Sequence, residues 1–132
     1  MKGKYSYIDI AREDLQAGKE MLRVGMYNHA VRLCQQYVEK CFKEFLEKHS
    51  KEDTDLLMLQ SHSIHRLASR CTEISSIEFS RLEKAFFREL TDYYFDTNYP
   101  GDDYIRATEA DAAEIMQQTL QFQADYENKL TA

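Results

Sequence analysis

From Gly25 to Leu46 the chain reads GMYNHAVRLCQQYVEKCFKEFL. Tyr27, Ala30, Val31, Cys34, Tyr37, Val38, Cys41, Phe42 and Phe45 recur every three or four residues. That interval stacks side chains on one face of an α-helix, so the segment predicts a long amphipathic helix with a buried stripe. Polar residues crowd this stripe. After the pair Gln35-Gln36 come Glu39, Lys40 and Lys43, and Gln36, Glu39, Lys40 and Lys43 fall on neighbouring turns. Such groups must either reach solvent or find partners.

Working outward, the 132 residues, 43% hydrophobic and 30% charged, suit one domain over 1–132 with a single core. A formal net charge of -6 argues against a broad face for duplex DNA, because neutralising phosphates takes clustered Lys and Arg. Three cysteines, at 34, 41 and 71, are an odd number, and two lie on the stripe; they read as reduced, buried, small hydrophobes. No apolar run approaches the length of a membrane span, and the start (Met1-Lys2-Gly3-Lys4-Tyr5) lacks the apolar segment of a signal peptide. The expectation is a cytoplasmic protein that does not engage membranes.

One proline and four glycines leave few breakers, and those few mark the joints of an all-α protein. A first helix, about Ser6 to Val24, places Ile8, Ala11, Leu15 and Leu22 inward and ends at Gly25, where a left-handed cap costs little. The second follows at once, to about His49, and so packs antiparallel to the first. Ser50 to Asp55 is polar and reads as a loop, and Leu56 to Gln60 fits either loop or helix. A third helix starts near Ser61 and carries Ile64, Leu67, Ala68, Cys71 and Ile74 inward. A fourth starts near Ser76 with Phe79, Leu82, Phe86, Leu90, Tyr93 and Tyr94 inward. Asp96 to Asp103 holds the only proline, followed by glycine. Thr108 with Asp111 is a variant capping box that opens a last helix through Ile115, Met116, Leu120 and Tyr126. The architecture expected is an antiparallel up-and-down bundle of about five helices.

The order of features is distinctive: Ala11, Asp14 and Leu15; Gly25 and Tyr27; Gln35-Gln36 with Glu39-Lys40 and Lys43; His62-x-Ile64-x-x-Leu67; Tyr94; and Tyr99-Pro100-Gly101 before the last helix. In this order and spacing the chain resembles the HEPN domain family over nearly its whole length. The resemblance implies a helical bundle that often dimerises and is frequently encoded beside a minimal nucleotidyltransferase as a toxin and antitoxin pair. Some members are metal-independent ribonucleases, and others bind nucleotides or act as non-catalytic partners. The chain departs from the family pattern twice. Asn98 stands where many members carry an arginine before the Tyr-Pro pair, which removes a cation suited to phosphate. The ribonuclease branch carries an arginine, four to six further residues and then a histidine near the start of the last core helix, and nothing after Arg66, Arg70, Arg81, Arg88 or Arg106 supplies that histidine. Arg23 and His29 meet the bare spacing but straddle the first joint.

The candidate contacts for a nucleotide or RNA are Gln36, Glu39, Lys43, His62, Tyr94, Asn98 and Tyr99, in a groove between the second, third and fourth helices. His62 and His65, one turn apart, are candidate general bases with Arg66 beside them, since imidazole suits proton transfer near neutral pH. Equally, His62 fits a helix-capping network and His65 a solvent-facing position. Glu39 and Lys43 fit either a phosphate- or dimer-facing cluster or a surface pair at spacing four. Tyr99 suits stacking on a base, while Tyr93 and Tyr94 compete for one inward position. Neither a metal site nor a cofactor is expected, because the histidines and thiols lack clustered ligand spacing. Expected partners are a second copy of the chain, a nucleotidyltransferase, and a nucleotide or RNA. The leading reading is a non-catalytic binding or partner module, the alternative an RNA-cleaving toxin, and the third a purely structural interaction domain.

Overall fold

A computed structural model of the chain describes residues 5–50, 57–98, 101 and 106–132. Five helices account for most of them: α1 Tyr7–Arg23, α2 Tyr27–His49, α3 Ile64–Ile74, α4 Arg81–Asn98 and α5 Glu109–Thr131. No strand occurs among the described residues, so the fold is all-α, as the periodicity requires.

The joints follow local chemistry. Gly25 adopts φ +84°, and the amides of Gly25 and Met26 donate to the carbonyls of Leu22 and Met21, at 3.2 and 2.8 Å. This is the paired C-terminal closure that glycine permits at low cost. At the start of α5, Thr108 and Asp111 exchange bonds: the Asp111 amide donates to Thr108 Oγ1 at 3.1 Å, and the Thr108 amide donates to Asp111 Oδ2 at 3.2 Å. Ser80 and Glu83 do the same for α4, with the Ser80 amide donating to Glu83 Oε1 at 2.7 Å and the Glu83 amide to Ser80 Oγ at 3.1 Å. That box starts α4 at Arg81, later than the expected start near Ser76, and α3 begins at Ile64 rather than Ser61. The Ile64 amide donates across to Thr91 Oγ1 on α4 at 3.1 Å, which satisfies a terminal donor that Ser63 leaves open.

α2 is the axis of the bundle. α1 runs antiparallel along it and comes close where Gly18 faces Leu33, since a side chain there would begin 3.2 Å from the Leu33 Cβ. At the far end of that seam the buried Glu44 accepts from the Ile8 amide at 3.1 Å and so closes the start of α1. α5 shares the direction of α2. The Ala107 amide donates to Asn28 Oδ1 at 2.6 Å near both N-termini, and Lys48 Nζ donates to the Thr131 carbonyl at 2.9 Å near both C-termini. α4 is antiparallel to α3 and to α5: Thr91 meets Ile64, and Glu83 accepts from the Tyr126 hydroxyl at 2.8 Å.

The core is one cluster built on α2, with Tyr37, Val38, Cys41 and Phe42 fully buried. Phe42 sits at its centre, edge-on to Phe79 and Phe87 at 5.6 and 5.3 Å between centroids. Two expected core residues face outward instead. Leu82 is 83% exposed, with Phe87 in its place, and Leu120 is 37% exposed, with Thr119 and Phe122 buried beside it. Phe86 and Leu90 of the same expected stripe are buried, so its phase holds; Leu82 lies in the first turn of α4, one turn before Phe86, at the lip of a groove rather than under the core. Thr119 tolerates a core position because its hydroxyl donates back to the Ile115 carbonyl at 2.7 Å. No described helix is long and apolar enough to cross a membrane.

Candidate functional site

α2 carries a buried polar ladder one turn per rung. Gln35 Nε2 donates to Glu39 Oε1 at 2.8 Å, and Lys43 Nζ donates to Glu39 Oε2 at 2.9 Å. The Glu39 and Lys43 side chains are only 6% and 7% exposed, so the spacing-four pair is a buried ion pair rather than a surface one. Taking two charges out of water costs several kcal/mol per ion before their attraction is counted, which makes such a pair weak evidence for stability. It lies directly beneath a half-exposed imidazole, and that contact makes it a candidate for a functional role.

The segment 57–63 brings the chain back beside the middle of α2 and sets His62 over Glu39. Its Nδ1 lies 3.1 Å from Glu39 Oε1, and the imidazole side chain is 45% exposed. A carboxylate only accepts, so Nδ1 donates, and in the neutral ring Nε2 carries the lone pair. Tyr94 of α4 lies flat against the other side of the interaction, with ring centroids 4.5 Å apart and planes inclined by 22°. The result is a half-exposed aromatic platform whose orientation is held from beneath by an ion pair. From α1, the phenol of Tyr7 is pushed above its ordinary value by burial first and then by Glu47 and Glu39, so it stays neutral.

Glu39, Lys43, His62 and Tyr94 therefore meet, on α2, before α3 and on α4. Gln36 does not join them. Its Oε1 accepts from Lys40 Nζ at 3.1 Å, and Lys40 is also paired with Asp14, so this side chain belongs to the seam with α1. The glutamine that enters the ladder is Gln35, fully buried, with its Oε1 lacking a partner. Both glutamines stand beside the apolar stripe in the sequence, where Gln36 is the candidate ligand contact; the stripe Val31, Gln35, Val38, Phe42 signals that Gln35 is the buried one. His65 parts from His62: its Nδ1 is 3.2 Å from Ser63 Oγ, and it borders a small cleft with Lys84 and Arg88 between α3 and α4. Arg66 is exposed and edges a separate hollow with Leu57 and Ser61. Arg23 is held by Glu20 on α1, and His29 lies beside Arg32. Tyr99 and the Asn98 side chain lie outside the described residues, as do Pro100 and residues 102–105 of the proline-glycine segment.

All three thiols are buried. Burial pushes Cys34 up to about 11 and Cys41 up to about 12, so at neutral pH both are protonated and poor nucleophiles. No group of three or more His, Cys, Asp or Glu side chains among the described residues could hold a metal ion.

No curated protein and no solved structure matches the chain. A family model described as the HEPN domain matches residues 5–128, a span that reaches into all five helices and includes the buried ladder, His62 and Tyr94. The chain belongs to the HEPN domain family.

Proposed function

We propose that this chain is a non-catalytic binding and partner module that takes up a nucleotide or an RNA end against His62 and Tyr94. In this reading it acts as a homodimer beside a minimal nucleotidyltransferase in a toxin-antitoxin type of pair, in the cytoplasm. The observation that carries it is the platform itself: an exposed imidazole, stacked on Tyr94 and fixed in rotation by buried Glu39. Flat rings so held offer a base a stacking surface, worth about 1–3 kcal/mol per base, without the entropy loss of ordering a free side chain. The non-catalytic part rests on the sequence, where no arginine precedes a histidine at ribonuclease spacing near the last core helix.

A thermal-shift panel of nucleotides and short RNAs tests the binding reading. At least one is expected to raise the Tm of the wild type, because a ligand that prefers the folded state stabilises it. Both His62→Ala and Tyr94→Ala are expected to abolish that shift while leaving the unliganded Tm within a few degrees. A panel without effect on the wild type would favour a purely structural domain. RNA cleavage is the second reading, favoured by the Glu39 contact that leaves Nε2 as the basic nitrogen. Wild type incubated with RNA beside His62→Ala separates the two: intact RNA in both is expected, and cleavage by the wild type alone would make the protein an RNA-cleaving toxin.

The dimer is tested by mass. Light scattering at micromolar concentration is expected to give twice 15.6 kDa, and a monomer would refute this part.

A further inference from the structure

α4 and α5 both pack on α2 and leave between them a groove of about 410 Å³. Its floor is apolar, formed by Phe86, Phe87 and Phe122, and its lip is Leu82, whose 83% exposure is the largest of any sizeable apolar side chain described. An exposed leucine beside an apolar floor marks a surface built for contact. Among the described residues no lysine or arginine lines this groove.

Charge is distributed unevenly along it. At one end Glu83 is already engaged by Tyr126 and the Ser80 amide, Asp125 by Gln121, and Lys129 lies over the Tyr126 ring at 5.5 Å. At the other end Glu89 feels the negative charges of Asp92 on its own helix and of Asp111 and Glu114 on α5. Its carboxyl is pushed up by burial first and then by those three neighbours, in the order Glu114, Asp111, Asp92. The other cations of α4 near this level, Lys84 and Arg88, border the cleft on the α3 side. Glu83 and Glu89 are six residues apart, about 9 Å along the axis.

We propose that the groove between α4 and α5 docks an amphipathic helix of another protein, one whose apolar face ends in a cluster of lysines and arginines laid over Glu89. The apolar floor supplies the buried contact, and the one-sided acidic rim selects the partner's charge and sets its direction. A second copy of this chain is the wrong occupant, because the same face of the copy offers carboxylates and, among the described residues, no cation to lay over Glu89. Nucleic acid is disfavoured for the same reason.

A synthetic helical peptide of about 16 residues, with Leu and Phe at helical spacing and a Lys/Arg cluster at one end, is the probe. Its counterpart carries Glu at each Lys and Arg position. Titration by NMR or fluorescence anisotropy is expected to show the basic peptide binding at this groove. Affinity should fall about tenfold or more on going from about 50 to about 500 mM salt, and again in Glu89→Lys. Ala85→Arg, at an exposed position that fills the groove, should abolish binding, and Leu82→Ala should weaken it while leaving the nucleotide response unchanged. Equal binding of the acidic peptide, no binding of the basic one, or binding indifferent to Ala85→Arg would overturn the proposal. So would a wild-type dimer that Ala85→Arg dissolves, which would make a second copy the occupant.

Discussion

Glu39→Ala is expected to lower the stability of the fold by about 3–5 kcal/mol, which is a large share of the 5–15 kcal/mol typical of a domain. The cost comes less from the lost attraction than from what stays behind. Lys43, 7% exposed, keeps a buried ammonium with no carboxylate, and Gln35, 0% exposed with its carbonyl oxygen already unpartnered, loses the acceptor for its Nε2. In urea, with a slope of about 1–3 kcal/mol per M, the midpoint should fall by about 2 M. Replacing both ends of the pair, as in Glu39→Leu with Lys43→Met, should restore much of the loss, because a hydrophobic pair of similar volume has no desolvation cost to offset. The double variant should nevertheless lose any ligand-induced Tm rise, since His62 would no longer be held at Nδ1. A Glu39→Ala midpoint within about 0.3 M of the wild type would mean that the pair is solvated, and the platform would lose its support.

That contrast also explains why the site was only partly legible in the sequence. Glu39 and Lys43 announce themselves by spacing four beside an apolar stripe, and α2 emerges whole because its period is long and uninterrupted. The caps that involve Gly25 and Thr108 are equally visible, being local in sequence. Ser80 with Glu83 was just as local, and reading it would have started α4 at Arg81 and put Leu82 in its first turn. The meeting of His62 with Glu39, 23 residues apart, depends instead on how the segment after α2 folds back along it, and no periodicity encodes that return. Tyr94 could be narrowed to one of two inward candidates, and its pairing with His62 needed the α3–α4 crossing. Gln35 and Thr119 illustrate a third limit. Polar residues read as surface until a partner is found, and their partners, Glu39 and the Ile115 carbonyl, are one turn away on the same helix.

The core's thiols and buried phenol make the second large effect, an alkaline collapse of stability. Cys34 and Cys41 are raised from an ordinary value near 9 to about 11 and about 12, and Tyr37 is raised from near 10, in each case chiefly by burial. Each group is neutral when protonated, so the folded chain holds protons that the unfolded chain releases. Below pH 9 the two states bind them equally, and the contribution to stability is complete. As pH climbs past 9 the unfolded state gives up two thiol protons, and past 10 the Tyr37 proton as well, while the folded state keeps them; stability must then fall. Each such group approaches a slope of about 1.4 kcal/mol per pH unit once the unfolded state is ionised, so two thiols have removed about 3 kcal/mol by pH 10 and the phenol steepens the decline above that. A fold at the lower end of the usual range of about 5–15 kcal/mol is then expected to unfold cooperatively between about pH 10 and pH 11.5. Urea titrations at intervals from pH 8 to pH 11 measure the slope directly. Cys41→Ala should lower stability at pH 8 through the small cavity it leaves, yet flatten the alkaline limb by one proton's worth, and adding Cys34→Ala should flatten it by a second. A limb of unchanged steepness in the double variant would assign the alkaline loss to other groups, and a flat profile through pH 11 would show that these thiols are not held protonated by the fold.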